Sequence, residues 1–134
     1  MQDIQNVTTY AFMTQDRPVL RADIAGSDGY PDVTGTVHVY TLPDGVYLQG
    51  DIIGLPVSGN FAFHVHDGTV CGEPGKKLLV MPEVMSGEDG KASAQVQLDR
   101  VSSTQIAGKP IVLHIIENGE EKQMIACGLL ERIL

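Results

Sequence analysis

The chain has 134 residues, 43% of them hydrophobic, and carries a formal charge of −8 with a pI near 4.7. This length suits one domain with a single core. The acidic balance argues against nucleic acid and anionic membrane surfaces as partners, since both need a Lys/Arg face, and no apolar run approaches the roughly 20 residues that span a bilayer.

Residues 1–17 are more polar than the remainder of the chain and read as a tail or an extra edge strand, which leaves 18–134 as the folded domain. They show neither a basic start nor a long apolar stretch of the kind that directs secretion, so a cytoplasmic location is expected. Short segments of period-two alternation then predict strands at Val19–Ala25, Thr34–Thr41, Val46–Ile53 and Asn60–His66. Further strands are predicted at Lys77–Val84, Ala92–Asp99, Pro110–Ile116 and Gln123–Leu130. Pro43-Asp44-Gly45, Glu88-Asp89-Gly90 and Asn118-Gly119 each favour a tight reversal. Turns spaced about every 8 to 12 residues between short strands indicate an all-β barrel or sandwich. No repeat, low-complexity tract or linker divides the chain.

Within "FAFHVHDGTVC", His64 and His66 stand two apart in a strand and project to one face, with Phe63 and Val65 on the other. In "PIVLHIIENG", His114 shares a face with Val112 and Ile116, while Leu113 and Ile115 take the opposite one. Both faces of that strand are apolar, so His114 is expected to be at least partly covered. A covered imidazole needs hydrogen bonds or a metal at its ring nitrogens. A His-x-His strand pair joined by a distant histidine suits copper or zinc; ordinary surface or hydrogen-bonded histidines are the alternative. His38 faces away from Val37 and Val39 and is expected in solvent rather than in a site. The chain has no CxxC pair, phosphate loop or nucleophile elbow, and Asp67, Glu73, Glu83 and Glu117 are scattered, with nothing in the sequence pairing them for acid–base work. Cys71 and Cys127 are far apart; free thiols are the default for a cytoplasmic protein, and spacing alone does not pair them.

Together these segments become more specific. "GNFAFHVHDGTVC" resembles the copper-binding segment of the Cu/Zn superoxide dismutases, where Gly-Phe-His-Val/Ile-His precedes a cysteine. "GKPIVLHIIENG" is similar to the strand that carries another copper-ligating histidine of that family, and "MIACGLLERIL" to its C-terminal Ala-Cys-Gly strand. "DIIGLP" and the hairpin before it match the family's early strands in order and length, so the resemblance covers residues 18–134. It implies an eight-stranded Greek-key β-barrel or sandwich, with His64, His66 and His114 as ligands of one copper ion per chain. Zinc is a substitute in the same site. The resemblance further implies a Cys71–Cys127 disulfide, superoxide as substrate, an antioxidant oxidoreductase activity and a homodimer.

Departures from the family narrow that expectation. The loop "GEPGKKLLVMPEVMSGEDG" has no histidine, so the bridging and zinc ligands are absent. "IIENGEEKQMIA" is too brief for the family's charged loop. Met124 stands three residues before Cys127, where the family carries an anion-binding arginine; Lys122 is the nearest substitute for steering superoxide. Beyond the three ligands, no catalytic residue is assigned. The expectation is therefore a copper-only dismutase-like protein with weak superoxide dismutation. A non-catalytic copper or zinc carrier, or a metal-free structural barrel, are the alternatives.

Overall fold

Alternation of Leu20, Ala22 and Ile24 with Arg21, Asp23 and Ala25 is a strand's signature, and all three apolar side chains are buried. The same rule sets nearly every element of the structure, a computed structural model that describes residues 17–133. Strands β1 (Leu20–Gly26), β2 (Thr34–Leu42), β3 (Gly45–Ile53) and β4 (Asn60–His66) come first. They are succeeded by β5 (Lys77–Met85), β6 (Ala92–Asp99) and a single helical turn, α1 (Ser103–Ile106). Strands β7 (Pro110–Glu117), β8 (Glu120–Leu129) and the two-residue β9 (Glu131–Arg132) complete the chain. The N-terminal tail or edge strand expected over residues 1–17 lies outside the described residues, apart from Arg17.

Hydrogen-bonded neighbours run in the order β5-β4-β7-β8-β1-β2-β3-β6, all antiparallel, with β9 added beside β1. The two ends of this path, β5 and β6, approach each other, so the sheet curls into a nearly closed barrel. Their facing edges are brought together without pairing, so the barrel stops short of full closure. Two connections skip neighbours: β3 to β4 and β6 to β7 each cross an end of the barrel. The second of these holds α1, where Ser102 and Gln105 form a reciprocal capping box.

Asn118 and Gly119 turn β7 into β8 with φ of 54° and 78°, the left-handed pair that a two-residue hairpin turn requires. Pairing therefore begins at once, with Glu117 opposite Glu120, and β8 starts three residues before the predicted Gln123. The polar Glu-Glu-Lys run hid this from period-two reading.

Phe61, Phe63 and Val65 of β4 point into the barrel and join Leu20, Leu48, Ile111, Leu113 and Ile125 in one core. Each phenylalanine is fully buried, which favours folding by about 1.5–3 kcal/mol. The intervening Ala62, His64 and His66 point outward, yet they too are buried. So is Val112, which lies opposite His64 and also stays out of the core. An outer face this well covered is unusual for an antiparallel sheet. Part of the cover is the segment from Asp67 to Lys76, which reaches His66 through the Gly75 carbonyl and is tied down by the disulfide between Cys71 and Cys127.

Candidate metal centre

Antiparallel pairing of β4 with β7 places His64 opposite Val112 and Ala62 opposite His114. His114 is thus the diagonal neighbour of His64 on the outer face, and His66 lies two residues further along β4. Ring centroids are 5.7 Å apart for His64–His66, 5.6 Å for His64–His114 and 6.0 Å for His66–His114. One ring nitrogen of each residue lies within 4.8 Å of the other two. Among the described residues this is the cluster of histidine, cysteine or carboxylate groups able to hold a metal.

Each ring spends one nitrogen on the protein and leaves the other free. His66 Nδ1 meets the Gly75 carbonyl at 2.8 Å, and His114 Nδ1 meets the Lys122 carbonyl at 2.8 Å. A carbonyl only accepts, so both rings carry the proton on Nδ1 and present a bare Nε2. His64 is turned the other way, with Nε2 3.3 Å from a Glu121 carboxylate oxygen. The three remaining atoms, His64 Nδ1, His66 Nε2 and His114 Nε2, are buried and have no hydrogen-bond partner. An unpartnered buried polar atom costs about 1–3 kcal/mol, so three in one cluster call for a missing partner. Neutral imidazole nitrogens this close together could hold a metal ion.

The loop under His66 explains how its partner is delivered. Asp67 N and Gly68 N donate to the carbonyls of Lys76 and Pro74, and Lys76 N donates to the Asp67 carboxylate. Gly75 has φ of +86°, and a Cβ there would run into that carboxylate. Glycine is therefore what allows the carbonyl to turn toward His66. Cys71 bonds to Cys127, itself opposite Val112 on β8, and so fastens this loop across the histidine face. The disulfide implied by the family resemblance is thus present, and the free-thiol reading of the two cysteines is set aside.

Burial of the His64 ring lowers its pKa below the ordinary value; Lys77, His114 and His66 add to this, while Glu121 opposes it. The ring is held neutral, as a ligand must be. For Glu121, burial acts upward but is outweighed by the Lys77 hydrogen bond and by the His64, Lys77 and His114 charges, so its pKa falls. Lys77 Nζ lies 3.0 and 3.2 Å from the two Glu121 oxygens. Glu121 escaped sequence reading because it looks like one more charge in a hairpin, and only the pairing of β7 with β8 brings it over His64.

His38 sits half-buried on the outer face of β2, opposite Arg21 and Gln49, apart from the cluster as expected. Lys122 is close to the site through its backbone carbonyl, while its ammonium pairs with Glu120 at 2.9 Å. Met124 lies directly opposite His114 in the β7–β8 ladder and is partly buried. Neither a comparison with models of known protein families nor a search of curated proteins finds a match for this chain.

Proposed function

We propose that this protein binds one copper ion per chain through His64, His66 and His114, as a dismutase-like barrel lacking the zinc half of the site. The observation that carries the reading is the trio of buried ring nitrogens without partners, each on a ring braced at its other nitrogen. The strand order, with its two crossing connections, suits a Greek-key barrel of the superoxide dismutase type. When bound, copper supplies one-electron cycling, which converts two superoxide ions and two protons into dioxygen and hydrogen peroxide.

The surrounding residues favour binding over fast turnover. Three imidazoles suit Cu(I), whereas Cu(II) prefers a fourth donor in a tetragonal arrangement. Lys77 and Lys122, the cations beside the cluster, are each paired with a carboxylate. A paired ammonium attracts an anion weakly, and the net charge of −8 repels superoxide at longer range. Met124 offers no substitute for a guanidinium. Dismutation is accordingly slow in this reading. A copper or zinc carrier using the same three histidines is the second reading, favoured by these same paired cations.

Reconstitution with excess Cu(I) under anaerobic conditions tests the proposal. One bound copper per chain, lost in His64→Ala, is expected; no bound copper overturns it. Pulse radiolysis of the copper-loaded protein separates the two readings, since dismutation clearly above that of the apoprotein excludes a purely carrying role. Thermal stability unaffected by either copper or zinc points instead to a metal-free barrel, because an ion bound only by the folded state raises stability.

A further inference from the structure

Two of the three histidines are oriented by backbone carbonyls, but His64 is oriented by a side chain that is itself held by another. Its Nε2 lies 3.3 Å from Glu121 Oε2, and Lys77 Nζ grips both Glu121 oxygens at 3.0 and 3.2 Å. The three groups come from three strands. His64 is on β4, Lys77 opens β5 opposite His66, and Glu121 is on β8 opposite Ile116. The His64 ring is 1% exposed whereas Glu121 is 36% and Lys77 45% exposed, so the chain leads from the buried ring out to solvent.

We propose that Glu121, braced by Lys77, is the positioning residue that aims His64 Nδ1 at the metal and biases the site by its charge. The inference rests on the metal-site reading above. A carboxylate 3.3 Å from Nε2 favours the proton on that nitrogen and so leaves the Nδ1 lone pair for the ion. Partners of this kind also raise the basicity of the ligand, and removing them typically lowers metal affinity about 10–100-fold. The carboxylate charge adds a second effect. Its attraction to a dication is twice that to a monocation at the same distance. Glu121 therefore favours Zn(II) and Cu(II) over Cu(I), against the preference of three imidazoles alone. Lys77 keeps the carboxylate extended over His64 and balances it when no metal is bound, which lets a negative group sit beside a neutral ring.

Affinities for Zn(II) and for Cu(I), each measured by chelator competition on the full chain, test this. Glu121→Gln keeps the shape and the acceptor oxygen but removes the charge. It is expected to weaken Zn(II) binding about tenfold and Cu(I) binding clearly less, whereas Glu121→Ala weakens both by about 10–100-fold. For a one-electron couple, a tenfold change in relative affinity for the two copper states corresponds to about 59 mV. Lys77→Met removes a positive charge in either background, so the brace is read from the difference: Zn(II) binding is expected to respond less favourably to Lys77→Met in the natural sequence than in the Glu121→Ala background. Equal losses for both ions in Glu121→Gln overturn the charge bias, and no loss in Glu121→Ala overturns the positioning role. A Lys77→Met effect of the same size and sign in both backgrounds overturns the brace. Failure of the natural sequence itself to bind either ion is a failure of the metal-site reading, and so is distinguished from all three.

Discussion

Replacing both cysteines, in a Cys71→Ala/Cys127→Ala double variant, removes a bond that closes a loop of 56 residues. The chain-entropy relation gives the denatured state about 14 cal/mol/K more entropy, which is about 4 kcal/mol at 25 °C. Unfolding entropy scales at about 2.1 cal/mol/K per residue, so a chain of 134 residues loses about 15 °C in Tm. Stability is not the sole consequence. The bond holds the segment from Asp67 to Lys76 over the histidine face, and that segment supplies the Gly75 carbonyl to His66. Releasing it frees the ring to rotate, so metal affinity falls along with stability. Guanidinium unfolding monitored by circular dichroism measures the first effect, and chelator competition on the still-folded variant measures the second. A loss under about 1 kcal/mol, with the unfolding slope unchanged, would refute the loop-entropy reasoning. Full metal affinity in the double variant would refute the claim that the disulfide positions the loop.

The same geometry sets other expectations. Gly75→Ala combines a left-handed φ with a collision against the Asp67 carboxylate, so a loss of about 1–3 kcal/mol and weaker metal binding are expected by chemical unfolding and titration. His38→Ala, on the far outer face of β2, is expected to bind copper with unchanged stoichiometry and affinity. For the metal-free protein, burial depresses the His64 pKa, so the unfolded chain takes up a proton that the folded ring resists. Stability is therefore expected to fall as pH drops through the unfolded histidine range, near about 6.5, and to level off below the folded value. Denaturant midpoints across that range check it, with His64→Ala losing this part of the slope. Metal affinity is expected to drop as the pH is lowered, since a protonated ring does not bind a metal ion.

Much of the barrel was legible because strands in a closed antiparallel sheet keep strict alternation: β4 and β6 begin and end where the pattern places them. Departures came where alternation is silent. β8 starts early because Asn118-Gly119 forces pairing before any apolar residue appears, and α1 is one turn, too short to show a helical period. Of the candidate site, His64 and His66 were legible as a pair from spacing alone, since two residues apart in a strand means one face. His114 stood out as a covered histidine on a distant strand and its joining them was one of the open readings, whereas the disulfide was expected from resemblance; the structure brings all of these together.

Taken alone, then, the amino-acid order determines which residues form strands, where they turn, and which side chains share a face. Local sterics and a period of two are enough for that. Only the tertiary structure decides that β4 lies between β5 and β7, that Gly75 turns its carbonyl to His66, and that Glu121 reaches His64. These contacts join residues far apart in the chain, and each depends on which strands become neighbours when the sheet closes. Three unpartnered nitrogens facing one another are a property of that closure, visible in no single segment.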